Sequence, residues 1–246
     1  MAEESKAPSK TFAAKFTSRS GTCAIPLTHD KLWEIHHWWH EMARGYHEPD
    51  PFRWALGTFI QAARGVTFML QKEKAAFKDF TWYDEWVAKA KDDPLLRWIK
   101  ESRTDVVHRA ALEPDSWLEM ACVGRVRDPE DEDDHPVRFR ANPFQCTHEH
   151  IWAGPNTDHT YEFTRFWTIE GVEKQELLGV GATIFEQYDK LVVEAHGRIG
   201  YGMGNNDGAA GGIPSCMKEI MKHRVVRTVL RDGVEGVEKK SPGPHE

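Results

Sequence analysis

Arg103 and His108 stand five residues apart in ESRTDVVHRAAL, residues 101–112, and their side chains suit one chemistry between them. Cleaving an RNA phosphodiester without a metal needs a proton acceptor or donor near the 2′-hydroxyl and the leaving oxygen. It also needs a cation against the charge that develops on the phosphorane. An imidazole with a pKa of about 6.5 can serve the first need and a guanidinium the second. Thr104, directly after the arginine, adds a hydroxyl able to hydrogen-bond. Five residues of straight helix turn the side chains by about 140°, so the pair shares a face only if the helix kinks or the long arginine reaches round. In the structural alternative, Arg103 pairs with Asp79 or Asp93 on a neighbouring helix and His108 caps the C-terminal end of its own.

Two further groups have metal-ligand character. In EIHHWWHEM, His36 and His40 lie at i,i+4 with Glu34, His37 and Glu41 around them, a spacing that lets both imidazoles face one ion. There is no H-E-x-x-H, which disfavours a zincin-type protease. An ion is expected there only if a third ligand approaches from another element, with His47 as one source. Otherwise the segment is a polar stripe beside Trp33, Trp38 and Trp39. In Cys146-Thr-His148-Glu-His150, strand alternation would put Cys146, His148 and His150 on one face, next to Trp152. The same pattern also reads as a solvated strand face. No stoichiometric metal and no cofactor is expected. The Gly-rich GYGMGNNDGAAGG has neither GK[ST] nor a preceding βαβ unit, so it is a linker rather than a phosphate loop.

The elements that must position these groups follow from periodicity. Residues 1–24 are small, polar and charged and are expected to be disordered. From Thr28, read as an N-cap, Leu32, Ile35, Trp39 and Met42 recur at helical spacing. A long apolar helix starts near Phe52, a shorter one spans Thr81 to Lys91, and a fourth runs from Pro94 to before Pro114. SWLEMACVGRVR, HPVRFRANPF and HTYEFTRFWTIEG read as strands, with DPEDEDD as a solvated hairpin loop. Helical periodicity returns over 180–200, IPSCMKEIMKHRVVRTVL forms a last short helix, and the tail from Asp232 is loose. The expected fold is α+β: a bundle of about four to five helices with a small antiparallel β insertion. Its parts are a bundle over 25–112, a β-rich insertion over 115–175, a returning helix over 180–200, and a Gly-rich loop, short helix and tail over 201–246.

Composition bounds the rest. Ten Trp and twelve Phe in 246 residues make the interior aromatic-heavy, since each ring buries roughly 150–250 Å². A net charge of −7 gives no global attraction for nucleic acid. The stretch 52–110 differs, with eleven Lys and Arg against eight Asp and Glu. Cys23, Cys122, Cys146 and Cys216 form no C-x-x-C and read as reduced, packed thiols. The N-terminus lacks the apolar core of a secretory signal, and no window approaches the roughly 20 apolar residues of a membrane span. A cytoplasmic location with no membrane partner is expected.

Arg103-Thr-Asp-Val-Val-His108 fits R-x(4–6)-H, and in this the chain resembles the HEPN superfamily of all-α nucleases and nucleotide-modifying toxins. The setting is similar too: a long apolar helix, a short connector, then a helix that opens on Leu95–Leu96 and bears the pair. The likeness covers about residues 28–112. Where the family often carries Asn after the arginine, this chain has Thr104, which lacks the amide. The resemblance implies a metal-independent RNase or toxin-type effector with Arg103, His108 and Thr104 as its catalytic set. It also implies a homodimer that brings two such sets into one cleft, with RNA as substrate and an antitoxin or other protein as partner. Two other classes stay open. One is a non-catalytic scaffold whose β region and Gly-rich loop present a binding surface, and the other is a bundle metalloprotein using His36 and His40.

Overall fold

The computed structural model describes residues 23–108, 112–123, 137–147, 160–173, 175–200, 212–222, 225–231 and 234–238. Proline opens three of the helices and sets their first turns: α1 (Pro26–Arg44), α2 (Pro49–Lys72) and α4 (Pro94–His108), with α3 (Trp82–Asp92) between the last two. Then come β1 (Asp115–Val123), β2 (Val137–Ala141), β3 (Thr160–Thr168), α5 (Leu177–Ile199), α6 (Ser215–Lys222), β4 (Val225–Arg231) and β5 (Val234–Glu238). The fold is α+β, with a helical bundle and a small antiparallel sheet in the order β2-β1-β3-β4-β5.

Two expectations are corrected here. VVRTVLR is not the end of the last helix, because its β-branched residues pair as a strand with β3, Thr164 opposite Val225 and Thr160 opposite Val229. The segment expected to be a loose tail contributes β5, which pairs with β4 from Arg227 opposite Glu238 to Arg231 opposite Val234. The sheet is therefore not purely an insertion: its last two strands come from beyond α6. DPEDEDD and the Gly-rich stretch 201–211 lie outside the described residues.

Thr28 is not the N-cap of α1 either. The helix begins two residues earlier, at Pro26, after Ile25, which makes no side-chain cap. Its free N–H groups are met from a distance: Leu27 N donates to Glu73 Oε1 at 2.8 Å and Thr28 N to Glu73 Oε2 at 2.9 Å, with the Thr28 hydroxyl donating to the same oxygen. A carboxylate at the end of α2 thus caps α1. Asp93 does the same service locally for α4, with Oδ1 accepting from Leu95 N and Leu96 N.

The core joins Leu32, Ile35, Trp39 and Met42 of α1 to Phe52, Phe59, Ile60 and Val66 of α2 and to much of α5. Gly181 lets α5 approach α1, since a Cβ there would lie 2.8 Å from Trp39 Cδ1. Trp39 in turn donates its indole N–H to Leu178 O at 2.9 Å.

The sheet meets the bundle at Arg165 and Trp167, which alternation along β3 turns inward with Phe163. The Trp167 ring stacks on Phe52 at 4.6 Å and donates to Tyr46 O at 2.7 Å. Arg165 is fully buried. Its guanidinium donates to Ser116 Oγ at 2.8 Å, Gln145 O at 2.9 Å, Asn142 O at 3.3 Å, and His47 O and Thr147 Oγ1 at 3.4 Å. Arg165→Met should cost roughly 3 kcal/mol in urea or thermal unfolding, because it leaves several buried acceptors without their donor. Arg165→Lys should recover little of that, since an ammonium cannot reproduce the fork. Near-parental stability of either variant would show that the joint does not depend on this side chain.

Tyr188 on α5 gives a pH test. Burial pushes its phenol pKa up to about 12, with the hydrogen-bonded Arg64 guanidinium acting in the opposite direction. Unfolded tyrosine titrates at about 10. The raised pKa therefore adds stability that is fully present below pH of about 10 and is lost as pH rises through about 12. Tyr188→Phe should flatten the alkaline limb of the stability curve in that window, measured by urea melts against the parent. An identical limb in both proteins would refute the assignment.

Candidate metal centre

His29, His36 and His40 follow one another along α1 at steps of seven and four. Seven residues turn a helix by about −20° net and eleven by about +20°, so all three project from one stripe. That stripe faces α5 and α6, and each end of it meets ligands from other parts of the chain.

At the C-terminal end, His40 Nε2 lies 3.3 Å from His36 Nε2, and His36 Nε2 lies 3.2 Å from Cys216 Sγ on α6. The three ligand atoms all fall within 4.8 Å of one another, and the three residues are half-buried. The nitrogens are closer than the ring centroids, which are 4.6 Å apart, so the imidazoles turn their nitrogen edges toward each other. A tetrahedral ion with bonds of about 2.0–2.3 Å holds its ligand atoms roughly 3.3–3.6 Å apart. The His36–His40–Cys216 edges thus have nearly the length such an ion requires. Thiolate and imidazole together favour zinc and its softer neighbours over magnesium or calcium.

At the other end, Cys23 Sγ lies 3.3 Å from His196 Nε2 of α5, and His29 Nε2 lies 2.9 Å from the same nitrogen. His29 and His196 are buried and Cys23 is half-buried. A cavity of about 170 Å³ runs between the two groups, lined by His29, His36 and Cys216 and by apolar Leu32, Trp33 and Phe185. A wider groove of about 450 Å³ beside the α1–α2 turn, flanked by Trp38, Trp54 and Arg44, holds none of these ligands.

The group that approaches His36 and His40 from another element is Cys216 and not His47. His47 sits in the α1–α2 turn, its Nδ1 3.1 Å from Thr147 Oγ1. Cys146 follows a turn after β2 instead of continuing a strand, so alternation does not apply to it, and His148 and His150 lie outside the described residues. Arg103 and Thr104 are exposed on α4, and the Thr104 hydroxyl donates to Lys100 O at 3.2 Å. Helix α4 runs continuously to His108, whose side chain lies outside the described residues. Arg103 makes no ion pair among the described residues. Asp79 accepts from Thr81 and Asp93 caps α4 while accepting from Gln187, so neither plays the partner role considered for them. His29, Cys23, His196 and Cys216 are not among the candidate ligands that the sequence points to. The heptad step from His29 to His36 was a readable signal, whereas the other three meet α1 only through the tertiary fold.

Fold and site together define an α+β helical-bundle protein in which histidines of the first helix meet cysteines and a histidine from elsewhere in two groups with metal-ligand spacing. The chain belongs to the bacteriophage lambda protein ea47 family, whose sequence model matches residues 17–239. Over 73 residues it is 40% identical to Protein ea47 of Escherichia phage lambda, a match that covers 28% of this chain and 17% of that protein. No solved structure matches. No helix among the described residues is long and apolar enough to cross a membrane.

Proposed function

We propose that this protein is a metal-stabilised helical scaffold, in which a zinc-like transition ion held by His36, His40 and Cys216 fastens α6 against α1. One observation carries the reading: a thiol from a separate short helix comes within 3.2 Å of an imidazole already paired at i,i+4. Helix α6 has only eight residues, and β4 and β5 follow it directly, so whatever holds α6 also sets where the C-terminal hairpin leaves the bundle. Short helices are marginal without tertiary support, and a ligand to a shared ion supplies it. The apolar walls beside the ion suit a holding role, and the cavity leaves room for a water on a fourth position.

The purified chain should carry about one zinc, nickel or manganese ion at this site, detected by elemental analysis and lost in His40→Ala and Cys216→Ser. At an ion concentration a hundred times the Kd, binding adds about 2.7 kcal/mol. For a chain of this size that corresponds to a Tm lowered by roughly 5–10 °C on chelation. A native chain that takes up no ion at this site, with a Tm indifferent to chelator, sinks the reading.

A second reading, the HEPN-like RNase, draws support from the exposure of Arg103 and Thr104 and from the lack of an ion pair on Arg103 among the described residues. It rests on the homodimer, since five residues of straight helix set positions 103 and 108 about 140° apart. Under this reading the parent cleaves RNA in the presence of chelator, and Arg103→Ala and His108→Ala each abolish cleavage, non-additively and without loss of fold. Parent protein inert toward several RNAs, with His108→Ala less stable by roughly 1–3 kcal/mol, would rule it out in favour of structural roles for both residues.

A further inference from the structure

We propose that Cys23, His29 and His196 form a second transition-ion site, independent of the first, that fastens the segment before α1 to the end of α5. The three ligand atoms lie within 4.8 Å of one another; the Cys23–His196 edge of 3.3 Å nearly has the length an ion requires, and the His29–His196 edge of 2.9 Å opens by about 0.4 Å to take one. His29 is 1% and His196 2% exposed. Their Nε2 atoms are 2.9 Å apart and their ring centroids 4.7 Å, so two buried imidazoles meet nitrogen to nitrogen. At most one proton fits between those nitrogens, whereas one ion accepts a lone pair from both and from the sulfur. A backbone contact holds the sulfur in place: Ile25 N donates to Cys23 Sγ at 3.3 Å. Binding a divalent ion to two neutral imidazoles and one thiol releases one proton, from the cysteine.

The two sites are separate ions, not one shared pair. His29 and His36 are seven residues apart on a straight helix, a rise of about 10.5 Å, against roughly 3.5–4 Å for a bridged two-metal centre. Their ligands differ in setting as well. The first site takes its thiol from α6, whereas this one joins three places that are far apart in sequence: the stretch ahead of α1, the first turns of α1 and the last turn of α5. An ion here closes the loop from residue 23 to residue 196.

Cobalt(II) reads both sites, because a thiolate–cobalt bond gives a near-ultraviolet charge-transfer band. The native full-length chain, stripped with chelator and titrated with Co(II), should take up two equivalents. Cys216→Ser should keep one equivalent with a thiolate band, Cys23→Ser should also keep one, and the double variant should keep no thiolate band, with far-UV circular dichroism unchanged throughout. One equivalent in the native chain, lost in Cys216→Ser and retained in Cys23→Ser, overturns the second site and leaves the first. One equivalent lost in Cys23→Ser and retained in Cys216→Ser upholds the second and removes the first. The native stoichiometry decides without any variant: a native chain that takes up no Co(II) overturns both.

Discussion

A buried guanidinium with no freedom to reorient organises this protein. Arg165 sits in the centre strand of the sheet and donates to acceptors on β1, on the stretch after β2 and on the α1–α2 turn. Taking a charge out of water costs several kcal/mol, and the cost is offset only where all its hydrogens are met with good geometry. The planar fork of arginine achieves this where a lysine could not. Because its acceptors come from three separate parts of the chain, the sheet can dock in one orientation only. Trp167, two residues on, uses the same face to stack on Phe52 and to take Tyr46 O. The Tyr46 hydroxyl in turn donates to Arg165 O and lies 3.0 Å from Oε1 of Glu176, the residue that caps α5. The sheet, the α1–α2 turn and the start of α5 are one hydrogen-bonded unit.

That unit determines where the histidine stripe of α1 points. The C-terminal end of α1 is held by the turn that Arg165 and Trp167 grip, and its N-terminal end by the Glu73 carboxylate. Between these anchors, Trp39 and Gly181 fix the distance to α5. With both ends and the spacing defined, the rotation of α1 is no longer adjustable. His29 must then face His196, and His36 and His40 must face α6. The ligand groups follow from packing and capping far from them.

Features carried by short-range pattern were legible in the sequence. Pro94 marked the opening of α4, alternation marked β1 to β3, and the start of α2, read near Phe52, and the apolar repeat of α5 were each legible to within three residues. Features that depend on contacts across the chain were not. The start of α1 was misplaced because its cap comes from Glu73, forty-five residues beyond Thr28. VVRTVLR resembles a helix end when read as a continuation of SCMKEIMK, and only pairing with β3 decides for a strand. For the candidate site, the i,i+4 pair His36–His40 was visible in one helix, whereas Cys216 is 180 residues from His36 and nothing local announces it. Cys146, in contrast, has ligand-like neighbours in sequence but stands in a turn, where strand alternation has no meaning.

The two cysteine-bearing groups also have an unequal relation to the rest of the fold. His29 and His196 belong to helices that the core already holds, so their juxtaposition precedes any ion. An ion there adds to an arrangement that burial has made. Cys216 belongs to a helix whose hold on the bundle rests largely on Met217, with Ile220 and Met221 packed alongside. If α6 moves away, His36 and His40 remain as a two-ligand pair on α1, a much weaker chelate. Under the proposed reading, ion occupancy at that end and the docking of α6 form a single equilibrium, in which each favours the other by the same free energy. Since β4 begins three residues after α6 and pairs with β3, the coupling extends to the edge of the sheet, and the metal site and the C-terminal hairpin are linked through a helix of two turns.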